Sequence, residues 1–412
     1  MQHLRGSVDD WLAFLASSPG EIGGLLGADL AVQEARGYRH TLREICQQPA
    51  TWLETVSRIA AHVATVEGAL DGVVASQPAG AIVLTGSGSS LYAGECLSRA
   101  LQSALDMPVQ AMSAGMVLTD PRGCLTERMP SLLVSFARSG NSPESCGAVD
   151  AVRDALPACR HLVITCSGQG RLAARYRDDP RVATLVLDDR TADRSLVMTS
   201  SFTNMVLAGR LLALTRDVPG YRGRGARLAE QGAEILLRHG DTLARVARGH
   251  YRTAVYLGSG GRYGSAREAA LKMLEMTAGQ VKTFAETYLG LRHGPMCALD
   301  DGALVVCFLA SDPVTRAYEV DLLRELRNKR LGAHRVIFGS GVPADLASTG
   351  DVVIDAPGLA AVSDDDAPVL DAVVGQLLAF FRCLSVGLRP DSPSDDGVIS
   401  RVVGDFAIHR RP

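Results

Sequence analysis

The sequence predicts an α/β protein in which one doubly wound unit, a parallel sheet covered by helices, occurs twice. Two observations carry this. From about residue 48 onward, short and almost wholly apolar runs alternate with longer helical stretches, and each apolar run is followed by Gly, Ser or Asp. A strand buried on both faces reads as a continuous apolar run, and alternation of strand with helix makes the sheet parallel. The second observation is an internal echo. LTGSGSSLYAGECLSRAL opens its glycine turn at Gly86 and YLGSGGRYGSAREAALKM opens its own at Gly258, 172 residues later. A period of that size is the size of a domain, which excludes a short-repeat solenoid.

In chain order, residues 1 to about 47 read as helical and mostly polar, ending in HTLREICQQP. Strands are expected at Ala81–Thr85, Leu132–Phe136, Leu162–Thr165 and Val182–Leu187 in the first half. In the second half they are expected at Ala254–Leu257, Ala303–Leu309, Arg335–Phe338 and Val352–Ile354. VPGYRGRG, at 218–225, is rich in Gly, Pro and Arg and is the expected linker between the halves.

Bulk composition narrows the function. A chain of 412 residues exceeds one ordinary domain, and 47% hydrophobic with 21% charged residues is the balance of a globular protein. The net charge of −3, with Lys and Arg scattered, recommends neither nucleic acid nor an anionic membrane as partner. No apolar run reaches the roughly 18 residues of a membrane span. The start, MQHLRGSVDD, has two aspartates where a signal peptide would be basic and then apolar, so a cytoplasmic protein is expected. Nine cysteines form no CxxC pair, and nine dispersed histidines form no HxxxH pair. Reduced core thiols and no metal are the expectation.

Two strand ends in the first half are rich in hydroxyls: Gly86-Ser87-Gly88-Ser89-Ser90, and Ser139-Gly140-Asn141-Ser142-Pro143-Glu144. Small residues let backbone approach a phosphate, and helix-N-terminal amides with serine hydroxyls donate to it. The plainer alternative for Ser142 is an N-cap on a helix whose first residue is Pro143. Neither loop matches GxGxxG or GxxxxGK[ST], which points to a phosphate outside a dinucleotide or ATP. In the second half Glu268, Lys272 and Glu275 fall at i, i+4 and i+7 of one helix face. That face is either a solvated salt-bridge ladder or, with its helix following the GSGG turn at the sheet mouth, a proton shuttle. His293, in Leu291-Arg292-His293-Gly294-Pro295, is a structural histidine or an acid–base catalyst in a rigid loop.

Together these pieces resemble the sugar isomerase (SIS) domain family, present twice. GSGSS resembles its first phosphate loop, and SFARSGNSPES resembles its SxSGxT loop. EAALKMLEM and LRHGP resemble the catalytic helix and histidine loop in the isomerase half of glucosamine-6-phosphate synthase. HTLREICQQPATW, DRSLVMTSSFTNM, LGLRHGPM, RELRNKRLG and GLRPDSPSDDGVISRVVGDFAIH are similar to the tagatose-6-phosphate ketose/aldose isomerase group, also described as galactosamine-6-phosphate deaminases of AgaS type. The resemblance implies two tandem SIS domains, each a three-layer α/β/α sandwich, at 48–218 and 226–400. A helical segment 1–47 precedes them and a tail 401–412 follows. A synthase is not expected, because the lead begins Met1-Gln2-His3 and is too short for a cysteine glutaminase domain. A sugar-phosphate-sensing regulator would usually add a basic helix-turn-helix, and the lead is not basic.

Carried over by position, the resemblance makes Ser90, Ser139 and Ser142 phosphate ligands, with Asn141 in the same loop. Ala137 replaces the first hydroxyl of SxSGxT, which leaves Arg138 or Ser89 to take part of that contact. Glu275 matches the carboxylate that moves a proton between C1 and C2. Glu268 and Lys272 match neighbours on that face, and Lys272 is expected to be catalytic, stabilising the charge that develops near C1 and C2. His293 matches the ring-opening histidine, which in the synthase serves the adjacent subunit, so a homodimer or higher homo-oligomer with shared sites is implied. Thr199 and Ser200 match a loop that contacts the sugar. Arg401 stands where the synthase has a Schiff-base lysine; arginine stays protonated, so it is expected to be an anion or hydroxyl clamp. The implied reaction is deaminating isomerisation of an amino-sugar phosphate without metal or cofactor. Plain ketose/aldose isomerisation and glucosamine-6-phosphate deamination remain alternatives.

Overall fold

The computed structural model describes residues 2–74, 76, 80–332, 334–394, 397–404 and 406–409. They form two compact units. One comprises Thr51–Asp193, Ser200–Ala226 and Gly397–Pro412, the other Met1–Ala50, Arg194–Thr199 and Arg227–Asp396. The helical lead therefore groups with the second sheet, and the C-terminal tail with the first.

The first-sheet unit holds β1 (Ala81–Gly86), β2 (Val109–Ser113), β3 (Ser131–Ala137), β4 (Arg160–Thr165) and β5 (Val182–Val186). All pair in parallel, in the order β2-β1-β3-β4-β5. β3 is buried from end to end, as its uninterrupted apolar run requires. Leu133 and Val163 on the sheet meet Val149 and Val152 of the helix Pro143–Ala155 in one core cluster. The run 218–225 directly precedes the boundary between the units at Ala226–Arg227, but it is helix rather than loop. It forms the first turns of a 30-residue helix, Val218–Ala247. Tyr221 is buried there and donates to the Leu207 carbonyl at 3.0 Å. A Cβ on Gly225 would come within 2.5 Å of Val56, so this glycine serves close packing rather than chain flexibility.

The second-sheet unit repeats the design with β6 (Thr253–Leu257), β7 (Lys282–Glu286), β8 (Ala303–Phe308), β9 (His334–Gly339) and β10 (Val352–Asp355). The order is β10-β9-β8-β6-β7, again all parallel and the same topology as the first sheet read in chain order. The helix Arg262–Met276 lies against Pro368–Ser385, where a Cβ on Gly375 would stand 2.4 Å from the Ala269 Cβ. Pro368–Ser385 is long and apolar enough to cross a membrane by composition, yet 83% of it is buried inside the protein. It is a core helix. In the lead, Ser7 and Asp10 cap the helix Val8–Ala16 reciprocally, and the Trp11 indole donates to the Cys46 carbonyl at 2.8 Å. Seven of the nine cysteines are buried, none is disulfide-bonded, and burial pushes the Cys46 and Cys307 thiols far above their ordinary range.

β2 and β7 have no counterpart among the expected strands. Both are edge strands beside the first strand of their sheet. In β2 only Val109 is buried, and no residue of β7 is. A half-exposed edge does not need a continuous apolar run, so VQAMS and KTFAE carry no strong strand signal.

Candidate functional site

In a sheet of this topology ligands gather beyond the strand ends where the order reverses, here between β1 and β3. Both hydroxyl-rich loops are there. After β1 the chain turns through Gly88 at φ 56°, and a Cβ on Gly86 would meet the Ser90 Cβ at 2.5 Å. The turn thus delivers Ser89 and Ser90, 4% and 5% exposed, to the first turn of the helix Ser89–Leu105.

After β3 come Arg138, Ser139, Gly140 at φ 66°, Asn141 and Ser142. The Ser139 hydroxyl accepts from Asn141 N–H at 3.3 Å, and Asn141 Oδ1 accepts from Arg171 N–H at 3.0 Å, which fixes the loop. Ser142 occupies the N-cap position, but its side chain makes no cap bond and pairs with the Ser145 hydroxyl at 2.7 Å. The capping role that its sequence position suggests is not the one its hydroxyl performs. A cavity of about 1160 Å³ in this unit touches the second loop at Pro143 and at the loop's partner Arg171, and is lined further by Cys146, Asp150, Arg175, Phe406 and Ile408. None of the serines of either loop lines it.

Two expected contacts change. The Arg401 guanidinium is no open anion clamp, because Nε donates to the Asp193 carbonyl at 2.8 Å and Nη2 to the Ala192 carbonyl at 3.3 Å. Its own carbonyl accepts from Arg138 Nη2, so Arg401 fastens the tail and engages one arm of Arg138. Thr199 and Ser200 lie in no open loop; both are fully buried. Ser200 N–H and hydroxyl donate to Asp193 Oδ1 at 3.1 and 2.9 Å, so Asp193 caps the helix Ser200–Arg210. The Thr199 carbonyl accepts from Gln376 Nε2 at 3.2 Å. Sequence reasoning passed over Asp193, and its place just before SLVMTSS was the available signal.

In the second-sheet unit the solvated-ladder alternative fails. Glu268 and Lys272 are 0% and 1% exposed, and only Glu275, at 24%, reaches solvent. Lys272 Nζ lies 2.6 Å from Glu275 Oε2 and 3.4 Å from Glu268 Oε1. A buried ammonium between two carboxylates fixes the Glu275 head group and places positive charge beside it. Glu275 is not at the mouth of its own sheet, however. It stands in the last turn, thirteen residues and about 20 Å along the axis from Arg262.

His293 is exposed in the turn after Tyr288–Leu291, with its backbone N–H on the Gly290 carbonyl at 2.9 Å. Beside it Arg292 Nε donates to Glu325 Oε2 at 2.7 Å, and Lys329 holds Glu325 Oε1 at 2.6 Å, which pins the loop to the helix Pro313–Lys329. Glu286 is committed to the same turn, accepting from Thr287 N–H at 2.7 Å. Among the described residues no group of three or more His, Cys, Asp or Glu could hold a metal ion.

Glu319, beyond β8, was missed altogether. It is fully buried, accepts from Ala310 N–H at 2.8 Å, and burial pushes its carboxyl up to about 7. The folded state thus holds a proton that the unfolded chain loses near 4.5, so stability declines as pH rises between about 4.5 and 7 and then levels off. Glu319→Gln, which keeps the acceptor, is expected to remove roughly 3 kcal/mol of that dependence. Melting curves across this pH range check it; parallel profiles for both proteins would contradict it.

Comparison with known proteins adds the following. The AgaS protein of Streptomyces coelicolor is 40% identical over 372 residues, 90% of this chain and 95% of that one. A D-galactosamine-6-phosphate deaminase AgaS of Escherichia coli is 35% identical over 370 residues, again 90% and 95%. The crystal structure of tagatose-6-phosphate ketose/aldose isomerase from Escherichia coli matches with a TM-score of 0.82 at 30% identity, over 95% of this chain and 99% of that one. The C-terminal domain of glucosamine-fructose-6-phosphate aminotransferase from Francisella tularensis shares the fold, with a TM-score of 0.68 at 18% identity. No protein-family model matches.

Proposed function

The chain belongs to the AgaS family of sugar-phosphate deaminases and ketose/aldose isomerases, and we propose that it converts D-galactosamine 6-phosphate and water to D-tagatose 6-phosphate and ammonia. The observation that carries the chemistry is the buried Lys272 that holds a solvent-reaching Glu275 carboxylate. The phosphate is taken by Ser90, Ser139 and Ser142 at the ends of β1 and β3, where backbone amides and hydroxyls favour an anion. His293 assists opening of the sugar ring. Glu275 removes the C2 proton of the open-chain aldehyde and returns it to C1. The bonding electrons pass through an enolamine, whose developing charge the Lys272 ammonium stabilises, and the product is the C2 ketimine. A proton passes from the amine nitrogen to O1 as the ketimine forms. Water then adds to C2, the C–N bond breaks, and ammonia leaves with both hydrogens of that water while its oxygen becomes the C2 carbonyl. A phosphorylated substrate is retained by a cell, so the cytoplasm is the place of work.

A second reading, plain ketose/aldose isomerisation with the amine absent, is supported by the name of the Escherichia coli structure. Ammonia release measured over galactosamine 6-phosphate, glucosamine 6-phosphate and their N-acetyl forms, beside tagatose 6-phosphate isomerisation, separates the two. Fastest turnover of the galacto amine is expected; turnover of non-amino sugars alone would favour the second reading.

His293 is exposed on its own unit, which supports a role in the site of a second copy of the chain. Mixing inactive His293→Ala with inactive Glu275→Gln is then expected to restore part of the activity under subunit exchange. An active monomer in light scattering at assay concentration would contradict this.

A further inference from the structure

Because the two sheets share one topology, each has a switch point, β1/β3 in one and β6/β8 in the other. Their first turns are built alike. Gly88 and Gly260 have φ of 56° and 59°, and a Cβ on Gly86 or Gly258 would collide with residue 90 or 262. The offset that pairs Gly86 with Gly258 pairs Ser90 with Arg262. After the third strand of each sheet, Ser142-Pro143 and Asp312-Pro313 open the next helix in the same way.

The side chains at these matched places differ in kind. The first cleft offers hydroxyls, and Ser142 leaves its helix without a side-chain cap. The second cleft is filled by charged groups of the chain itself. Arg262, 2% exposed, donates from Nε and Nη2 to Asp371 at 2.9 and 2.6 Å, and from Nη1 to the Leu309 carbonyl. Asp312 caps its helix, accepting from Thr315 N–H and hydroxyl at 2.8 Å each. Asp364 accepts from Ser311 N–H at 2.7 and 2.9 Å and from Asp312 N–H at 2.8 Å, with Arg262 Nη1 3.6 Å away.

Two consecutive amides at the start of a 17-residue helix, with a guanidinium alongside, are the surroundings of a bound anion. We infer that the mouth of the second sheet is a self-filled counterpart of the phosphate cleft. The Asp364 carboxylate sits where an anionic ligand would, so each chain takes one phosphate, at the first sheet. A tethered carboxylate is present at high effective concentration and displaces free phosphate. Asp371 neutralises Arg262, and Asp312 adds negative charge, so a dianion gains little by entering. The inference rests on the reading of the first cleft as the phosphate site and extends it to stoichiometry.

Calorimetric titration of the full chain with tagatose 6-phosphate in ammonia-free buffer is expected to give one site per chain, weakened at least about tenfold by Ser139→Ala. Two sites per chain, one of them indifferent to Ser139→Ala, would overturn the inference and leave the first cleft's reading intact. One site indifferent to Ser139→Ala would overturn that reading and the inference with it. The plug itself is tested by Asp364→Ala, melted in sodium formate and in sodium chloride at equal ionic strength. A lowered Tm that formate restores in the variant, but does not raise in the native protein, is expected. An unchanged Tm, or equal responses of both proteins to formate, would show that no anion is held there.

Discussion

Glu275→Gln is expected to lower kcat by about 10²–10⁴, the usual worth of a general base, with little change in affinity for tagatose 6-phosphate. Glutamine keeps the shape and an acceptor oxygen but cannot take a proton. The partners set the prediction apart from a stability effect. Lys272 is 1% exposed and keeps Glu268 at 3.4 Å, so its charge is not abandoned when Glu275 is neutralised. The folded protein survives while proton transfer stops. Exchange of the C2 proton with deuterated solvent is expected to vanish in parallel. A variant with near-normal turnover would mean that Glu275 only balances Lys272.

Removing the 6-phosphate from the substrate is expected to lower kcat/KM by at least about 10³. Each hydrogen bond to a charged group is worth about 1.5–3 kcal/mol, and two or three such bonds from Ser90, Ser139 and Ser142 reach that factor. The loss is expected in kcat as well as KM, because a remote anchor supplies positioning for the reacting carbons. Ser139→Ala deletes one hydroxyl, which also accepts from Asn141 N–H, and is expected to lower kcat/KM about tenfold or more. Comparable turnover of galactosamine and its 6-phosphate would remove the phosphate from both loops.

Strands buried on both faces declare themselves in sequence. The eight apolar runs and the echo at Gly86 and Gly258 made the doubled sheet legible, because a covered strand has no option but apolar residues. The edges β2 and β7 escaped for the converse reason. The run 218–225 reads as a loop when glycine and proline are taken as breakers, whereas Gly225 sits in a helix so that Val56 can approach. At the site, loop placement was readable and side-chain commitment was not. Helical spacing put Glu268, Lys272 and Glu275 on one face, yet nothing in that spacing says that the face is buried. Arg401 was judged by its charge, but two carbonyls of the 192–193 turn hold its guanidinium. Arg262 was visible through the repeat itself, which sets it opposite Ser90. At that position the guanidinium is held by Asp371 and the Leu309 carbonyl, a commitment the repeat alone does not reveal.

The central claim is a deamination coupled to isomerisation, and product stoichiometry tests it most directly. Incubating the protein with D-galactosamine 6-phosphate and assaying ammonia and D-tagatose 6-phosphate in the same samples is expected to give equal amounts of both at every time, with neither formed by Glu275→Gln. Ketose phosphate formed while the amine stays bound to carbon, or ammonia released at the native rate by Glu275→Gln, would contradict it.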